Sequence, residues 1–445
     1  MARPAIEAIY NYVVGEDPAG RACEDIPEEA CRDVPTSFIL NVLNGTCTKL
    51  AEQLASPGLV LPWLLSSLGA PVALSGWLVP VRQAGSLAPQ LVVANAMRGF
   101  QHRKWFWSAA GITQAAMLLL MAVAAATLAP AAAGAAVVVL LALFSIASGV
   151  GSVAFSDVVG KTVPRGRRGR MLALRASLGG GLALGAGLAI RAFLSNGTSV
   201  LPFLLLLVAA AGLWTAGAVF FALIPEPAGA TGGGSNGLRE ALKQLARLRN
   251  EVTLRRFVGA RLLLLSVELA MPYFTLAARA RTGTDARDLG TFVVAVSIAA
   301  VVSSPLWGRL SDVASNRVMA AGAVIGAVAT AIAVGLGWAP SETRSAELYA
   351  AVFLLLGLAE GGVRLGRKTY LVDLAPPGEK GVYQALTNTI TGAVVFLAGG
   401  LGVVAQVVGV EPFLAGLALL MLLGAGLSWT LPTPDEGSPP RPAAG

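Results

Sequence analysis

Long apolar runs alternate with short polar stretches along the whole chain. Twelve runs can be marked, at roughly 37–60, 72–94, 106–128, 135–157, 170–194, 200–224, 257–278, 289–307, 318–338, 346–366, 382–406 and 412–431. Each is near the 20 or so residues that carry an α-helix across a bilayer core. The alternating ten-residue segments of a membrane barrel are absent. The pattern predicts an all-α membrane protein with twelve transmembrane helices in two six-helix halves, 37–224 and 257–431. Between them lies a central loop, 225–256, that opens Gly/Pro-rich and then turns basic and helical in pattern (GLREALKQLARLRN). The Pro-rich 432–445 reads as a disordered tail.

Residues 1–36 are polar and mostly acidic, with Ile6, Ile9, Tyr10, Val13 and Val14 on one helical face. Two readings stand for this tail: a partly ordered terminus, or a small interfacial helix or cytoplasmic lid. No cleaved signal peptide is expected, since a basic start followed by an apolar core is missing.

Composition agrees with the pattern. Only 13% of residues are charged and 55% are hydrophobic, against about 25% charged in soluble proteins. The formal net charge of +8 does not point to nucleic acid, because an excess of Lys and Arg in a membrane protein gathers in cytoplasmic loops. Arg98, Arg103 and Lys104 follow the second run, and Lys161 to Arg170 follow the fourth. The central loop is basic, as are the stretches after the eighth and tenth runs. This asymmetry predicts that both termini are cytoplasmic. Cys23, Cys31 and Cys47 lack metal-ligand spacing, and His102 is the single histidine, so neither a metal site, a cofactor nor a disulfide framework is expected. A G-x-x-x-x-G-K-[ST] phosphate loop is absent, which argues against ATP drive within the chain.

The two halves share landmarks at separations of 215, 214 and 212 residues. Ser56-Pro57 answers Met271-Pro272, Arg103 answers Arg317, and Pro164-x-Gly166-x-Arg168-Gly169 answers Pro376-x-Gly378-x-Lys380-Gly381. A parallel six-plus-six repeat is one of the known transporter architectures. The polar stretch 308–317, GRLSDVASNR, reads as a loop between the eighth and ninth runs. It resembles the signature loop of the major facilitator superfamily, roughly G-x-L-x-D-R-x-G-R-R, at Gly308, Leu310, Asp312 and Arg317. In the first half Arg103 and Lys104 correspond, while Ala94 and Arg98 stand where Gly and Asp belong.

From about residue 37 to 431 the chain is therefore similar to major facilitator transporters. That resemblance implies two halves that rock about a central site, with spans 3, 6, 9 and 12 facing lipid. It marks Arg103, Gly308, Asp312 and Arg317 as gate residues. The implied cell setting is a bacterial inner membrane, with the chain multi-pass and acting as a monomer.

Charges inside the apolar runs supply the candidate chemistry, since a charge at a helix centre costs at least about 2.5–3.5 kcal/mol in hydrocarbon. The third, sixth, ninth and twelfth runs carry none in their interiors. Span 1 has a stripe of Asn41, Asn44, Thr48 and Glu52, within about 60° on a helix, with Lys49 at its edge. Span 7 places Arg261, Glu268 and Thr275 on one face. Span 10 carries Glu360 and Arg364, and span 11 a stripe that includes Asn388. Arg82 falls mid-span in the second run. The predicted substrate or ion site is Asn44, Thr48, Lys49, Glu52, Arg82, Arg261, Glu268, Glu360 and Asn388. The bland alternatives are that Lys49 with Glu52 and Glu360 with Arg364 neutralise one another, and that Arg175 and Arg364 snorkel toward the cytoplasm. Arg82 is the expected partner of Glu268, which lies about 17 Å into its helix.

The function these residues predict is secondary transport of a small organic solute, with the proton as candidate coupling ion. The alternatives are a uniporter, or a transporter-like assembly factor or sensor. One histidine and no interfacial Cys/Asp/Glu cluster argue against an enzyme.

Overall fold

The computed structural model describes residues 3–14, 26–87, 90, 93, 96–193, 200–229, 251–282, 286–340, 345–375 and 380–432. Among them the ordered structure is helical. A short helix α1 (Arg3–Val14) and one turn α2 (Glu28–Cys31) precede α3 (Val34–Leu54) and α4 (Val60–Ser67). Then follow α5 (Val72–Leu87), α6 (Lys104–Thr127), α7 (Pro130–Thr162), α8 (Arg165–Phe193) and α9 (Leu201–Ala222). The second part of the chain forms α10 (Val252–Thr282), α11 (Ala286–Trp338), α12 (Ala346–Leu374), α13 (Lys380–Ala398), α14 (Leu401–Val408) and α15 (Val410–Trp429).

Ten of the helical stretches among the described residues are long and apolar enough to cross a membrane. The two expected spans outside that set are the first and second. The first is interrupted after Leu54, where Ser56-Pro57-Gly58 follows. Proline removes a backbone donor and disfavours helix at the residue before it, so the chain ends α3 and restarts as α4. Its repeat counterpart Pro272 sits inside the continuous α10, so the same landmark breaks one helix and is absorbed by the other. The second expected span is α5, which has 16 residues and an internal Pro80.

The stretch 308–317 is not an open loop. Helix runs through it, with one non-helical residue, Ala314 (φ −154°, ψ 81°), dividing α11 into the eighth and ninth spans. The stretch is short and holds neither Pro nor a second Gly, so the helical backbone continues across most of it.

Two compact units result, and they are not the two sequence halves. The first comprises residues 1–56, 81–185 and 199–238; the second comprises 57–80, 186–198 and 239–445. In the first unit α6 packs on α7 and α9, and α3 on α9. Trp107 stacks on Phe221 with ring centroids 4.5 Å apart, and Phe144 and Phe155 of α7 extend the aromatic seam. In the second unit α11 packs on α12 and α15, and α10 on α15. Its core holds Phe257 against Tyr370 and a Phe274–Phe353–Phe292 stack.

Large apolar side chains remain exposed along most of the long helices. Examples are Leu119 and Val123 on α6, Leu205 and Val208 on α9, Val328 on α11, and Leu422 and Leu423 on α15. Apolar surface on this scale marks a membrane contact. The chain is a multi-pass membrane protein.

The N-terminal region is built into the first unit. Tyr10 of α1 is buried against Phe38, with centroids 5.3 Å apart and nearly perpendicular rings. Around it close Ile26, Ala30, Val34, Val42, Val159, Val163 and Met171. The Arg167 guanidinium donates to the Tyr10 hydroxyl at 2.6 Å and lies over the ring. Of the two readings of this tail, the described part is a docked helix. Cys31 is disulfide-bonded and Cys47 is free. The bond corrects the expectation of none, which rested on irregular cysteine spacing.

Candidate functional site

In the first unit the mid-span charges gather around one carboxylate. Glu52 on α3 receives Lys49 Nζ at 2.7 Å on Oε2 and Arg82 Nη2 of α5 at 3.4 Å on Oε1. Lys49 and Glu52 meet because three residues are nearly one helical turn. The Arg82 guanidinium also lies 5.5 Å from the Phe144 ring centroid. Arg175 of α8 does not snorkel. It lies 4.4 Å from the Phe155 ring centroid, and its Nη1 is buried with no hydrogen-bond partner.

Two glycines admit this arrangement. A Cβ on Gly45 would stand 2.0 Å from Arg175 Nε, and one on Gly179 would stand 2.5 Å from Lys49 Cβ. The helices α3 and α8 therefore interlock, each offering a glycine to the other's long cation.

Two of the expected site residues face elsewhere. The Asn44 amide donates to Gly217 O of α9 at 2.9 Å, and Thr48 donates to Gly45 O of its own helix at 3.2 Å. Both are buried, and the Thr48 methyl is a near neighbour of Gly217. They form the α3–α9 contact, where polar groups join helices in lipid. The polar stripe was legible, but not which helix it meets.

In the second unit Arg261 of α10 donates to Asn388 Oδ1 of α13 at 2.9 Å, which joins two predicted residues. Glu268 is buried and pairs with Arg367 of α12 at 3.3 Å. Its expected partner Arg82 is instead bound to Glu52. The reason for the miss is that Arg367 reads in sequence as a loop cation beyond the tenth span, whereas α12 continues as helix to Leu374. Glu360 and Arg364 pair at 3.4 Å, one helical turn apart.

Of the expected gate residues, Arg103 stands at the start of α6, and Gly308, Asp312 and Arg317 lie within α11 on either side of its break at Ala314. Arg103 pairs with Asp157 of α7, and its backbone N–H donates to Glu226 Oε1 at 2.9 Å. Glu226 also accepts from the Lys104 N–H at 2.8 Å and from Lys161 Nζ at 2.9 Å, with its own side chain fully covered. A carboxylate at this position suits the start of α6, where free N–H groups concentrate positive potential. Lys161 opens a basic loop marked in the sequence, whereas Asp157 and Glu226 were not singled out. The signal available was an acid following an Ile-Pro at the end of the sixth run.

The second unit makes a matching tie with other chemistry. The Asn316 amide donates to Leu431 O at 2.9 Å. Arg317 is exposed, with its guanidinium over the Trp429 ring. At Gly308 an added Cβ would meet open space. The Asp312 side chain lies outside the described residues, as does the central-loop helix pattern at 237–250. No group of three or more His, Cys, Asp or Glu able to hold a metal occurs among the described residues.

Fold and charge distribution thus define a polytopic helical membrane protein with ionisable groups held inside its bundles. Residues 256–445 match the family model for the Major Facilitator Superfamily. Uncharacterized proteins of Mycobacterium tuberculosis (strain H37Rv) and Mycobacterium bovis are 28% identical over 265 residues, which is 59% of this chain and 51% of theirs. The chain thus spans about half the length of the curated relatives it matches. Among solved structures, a D-xylose–proton symporter superposes with a TM-score of 0.67 at 12% identity, covering 90% of this chain and 98% of its own. The nucleoside transporter NupG gives 0.65 at 14%, covering 88% and 98%. A POT family transporter in complex with 5-aminolevulinic acid gives 0.65 at 12%, covering 90% and 96%. The second part of the chain thus matches the Major Facilitator Superfamily by sequence, and most of its length shares a fold with these solved transporters.

Proposed function

We propose that the chain is a secondary active transporter, carrying a small organic solute across a bacterial inner membrane by alternating access and coupled to protons. The observation that carries this reading is the Glu268–Arg367 pair, a buried carboxylate 3.3 Å from a part-buried guanidinium, on two membrane helices. A buried ion pair is held together mainly by the charge on both partners. A proton taken up by Glu268 removes one of those charges and releases Arg367, which couples protonation to a change in helix contacts. Arg261 and Asn388, bonded to each other, supply polar groups from α10 and α13 for solute binding. Solved neighbours of the same fold include a protein described as a D-xylose–proton symporter, which is consistent with coupling on this scaffold.

The test uses proteoliposomes with an imposed pH gradient and a panel of labelled solutes. Glu268→Gln is expected to lose uphill accumulation while keeping exchange down a concentration gradient. Accumulation by Glu268→Gln at the unmutated rate removes Glu268 from the coupling mechanism. Flux of no solute by the unmutated chain removes the transport reading itself.

A further inference from the structure

Among the described residues the cations around Glu52 outnumber the acids that pair with them. Lys49 and Arg82 share the Glu52 carboxylate, and Arg175 of α8 packs on α3 at Gly45, where an added Cβ would stand 2.0 Å from its Nε. Lys49 takes one Glu52 oxygen and Arg82 approaches the other at 3.4 Å, beyond a short charge-assisted bond. Arg175 Nη1 is buried with no acceptor. A buried donor on a charged group without an acceptor is costly, and mid-membrane cations without counter-charge are rarer still.

Both guanidinia are also held in place. Phe144 and Phe155 are eleven residues apart on α7 and so share a face, about 16 Å apart along the axis. Arg82 lies over the first and Arg175 over the second. A guanidinium held over a ring keeps its in-plane N–H edge available, and that fork matches the two oxygens of a carboxylate or phosphate. Side-chain exposures of 52% for Lys49, 33% for Glu52 and 21% for Arg82 leave the deeper end of this ladder open to a small solute.

We propose that Lys49, Arg82 and Arg175 form a binding site for an organic oxyanion, with Glu52 as the resident counter-ion that the ligand displaces. The anion enters at the open end, and the buried Nη1 of Arg175 is the unsatisfied donor it reaches. The anion then competes with Glu52 for Lys49 and Arg82, and Glu52 recovers both cations when it leaves. As a statement about the transported solute this rests on the transport reading; as a binding site it does not.

The experiment measures thermal unfolding of the detergent-purified full chain at constant ionic strength set with sodium chloride. The probes are succinate and inorganic phosphate, against neutral succinamide and cationic choline. One or both oxyanions are expected to raise the midpoint, while succinamide and choline leave it unchanged. A response to succinate alone assigns a carboxylate ligand, and a response to phosphate alone a phosphorylated one. Arg175→Gln is expected to weaken the binding about tenfold, and Glu52→Gln to tighten it. Gly45→Ala, which pushes Arg175 aside without altering its charge, is expected to weaken binding as Arg175→Gln does, and covers the case in which that variant fails to fold. Equal shifts by choline or succinamide, or unchanged affinity in both Arg175→Gln and Gly45→Ala, overturn the proposal. Uptake into proteoliposomes is read separately. Oxyanion binding without flux of any solute defeats the transport reading and leaves the site. Flux of a neutral or cationic solute without oxyanion binding defeats the site and leaves transport.

Discussion

Replacing Glu226 tests whether a single carboxylate ties the adjoining ends of α6, α7 and α9 together. Its side chain is fully covered and accepts three hydrogen bonds, from the Arg103 and Lys104 amides and from Lys161 Nζ, all within 2.8–2.9 Å. Glu226→Ala leaves two amides at a helix start without acceptors and strips Lys161 of one of its two carboxylates, Asp157 remaining at 2.6 Å. Removing one partner of a buried ion pair costs about 3–5 kcal/mol. The retained Asp157 contact moves the figure toward the lower end, and the orphaned amides move it back up. The expected loss is therefore about 3–4 kcal/mol. Glu226→Gln keeps one acceptor oxygen but turns an N–H₂ toward either the amides or Lys161, for an expected loss of about 2 kcal/mol. Glu411→Gln is the control: Glu411 meets Arg281 at 2.6 Å, but both side chains are more than one-quarter exposed, and exposed pairs are worth about 0–1 kcal/mol. The assay is reversible unfolding in mixed dodecyl sulfate and maltoside micelles. If Glu226→Ala lies within about 0.5 kcal/mol of Glu411→Gln, the covered carboxylate is not a tie and the reasoning from burial fails.

Two further outcomes are expected. Reporters fused at Gly234 and Ser341 should read cytoplasmic and external respectively; the reverse pattern refutes the orientation derived from Lys and Arg. Gly290→Ala should destabilise by about 1–3 kcal/mol, because its Cβ would stand 2.5 Å from the Arg191 backbone nitrogen and 2.8 Å from Gly187 O. Gly416→Ala, with open space around the added methyl, should be neutral or gain up to about 1 kcal/mol; equal effects of the two refute the close approach of α8 and α11.

What the sequence disclosed divides along a physical line. Apolar run length and the positions of Lys and Arg are one-dimensional quantities, so the helical spans from α6 to α15 were legible, within about five residues at most ends but eight short at the end of α12 and without the break between α13 and α14. Contacts one turn apart were legible for the same reason, as with Lys49–Glu52 and Glu360–Arg364. Contacts between helices were not legible, since they depend on rotation and depth. Glu268 was assigned to Arg82 by depth alone, and Arg367 was passed over because the end of its helix was placed eight residues early. Arg175 read as a snorkelling cation because nothing in one dimension reveals that Gly45 opens a slot for it beside Phe155. Asn44 read as cavity lining because a polar stripe gives a face without naming its neighbour. Proline gave a divided message: Pro57 follows the end of a helix and Pro272 lies inside one.

The docking of α1 has a consequence for the order of events during synthesis. Tyr10 and Arg167 are 157 residues apart in sequence, and the pocket that holds the tyrosine also needs Val159, Val163 and Met171. At about 5–20 residues per second, the ribosome reaches Arg167 roughly 8–30 s after Tyr10. For that interval the helix has only the near side of its pocket, from Ile26 to Val42, and lacks Val159, Val163, Met171 and Arg167. Nascent chains halted before α8 should therefore present residues 3–14 to protease or to the membrane surface, and chains released beyond Met171 should not. The contact that fastens the earliest helix of the first unit becomes possible only when α8 is begun, so protection of Tyr10 times the closure of that bundle.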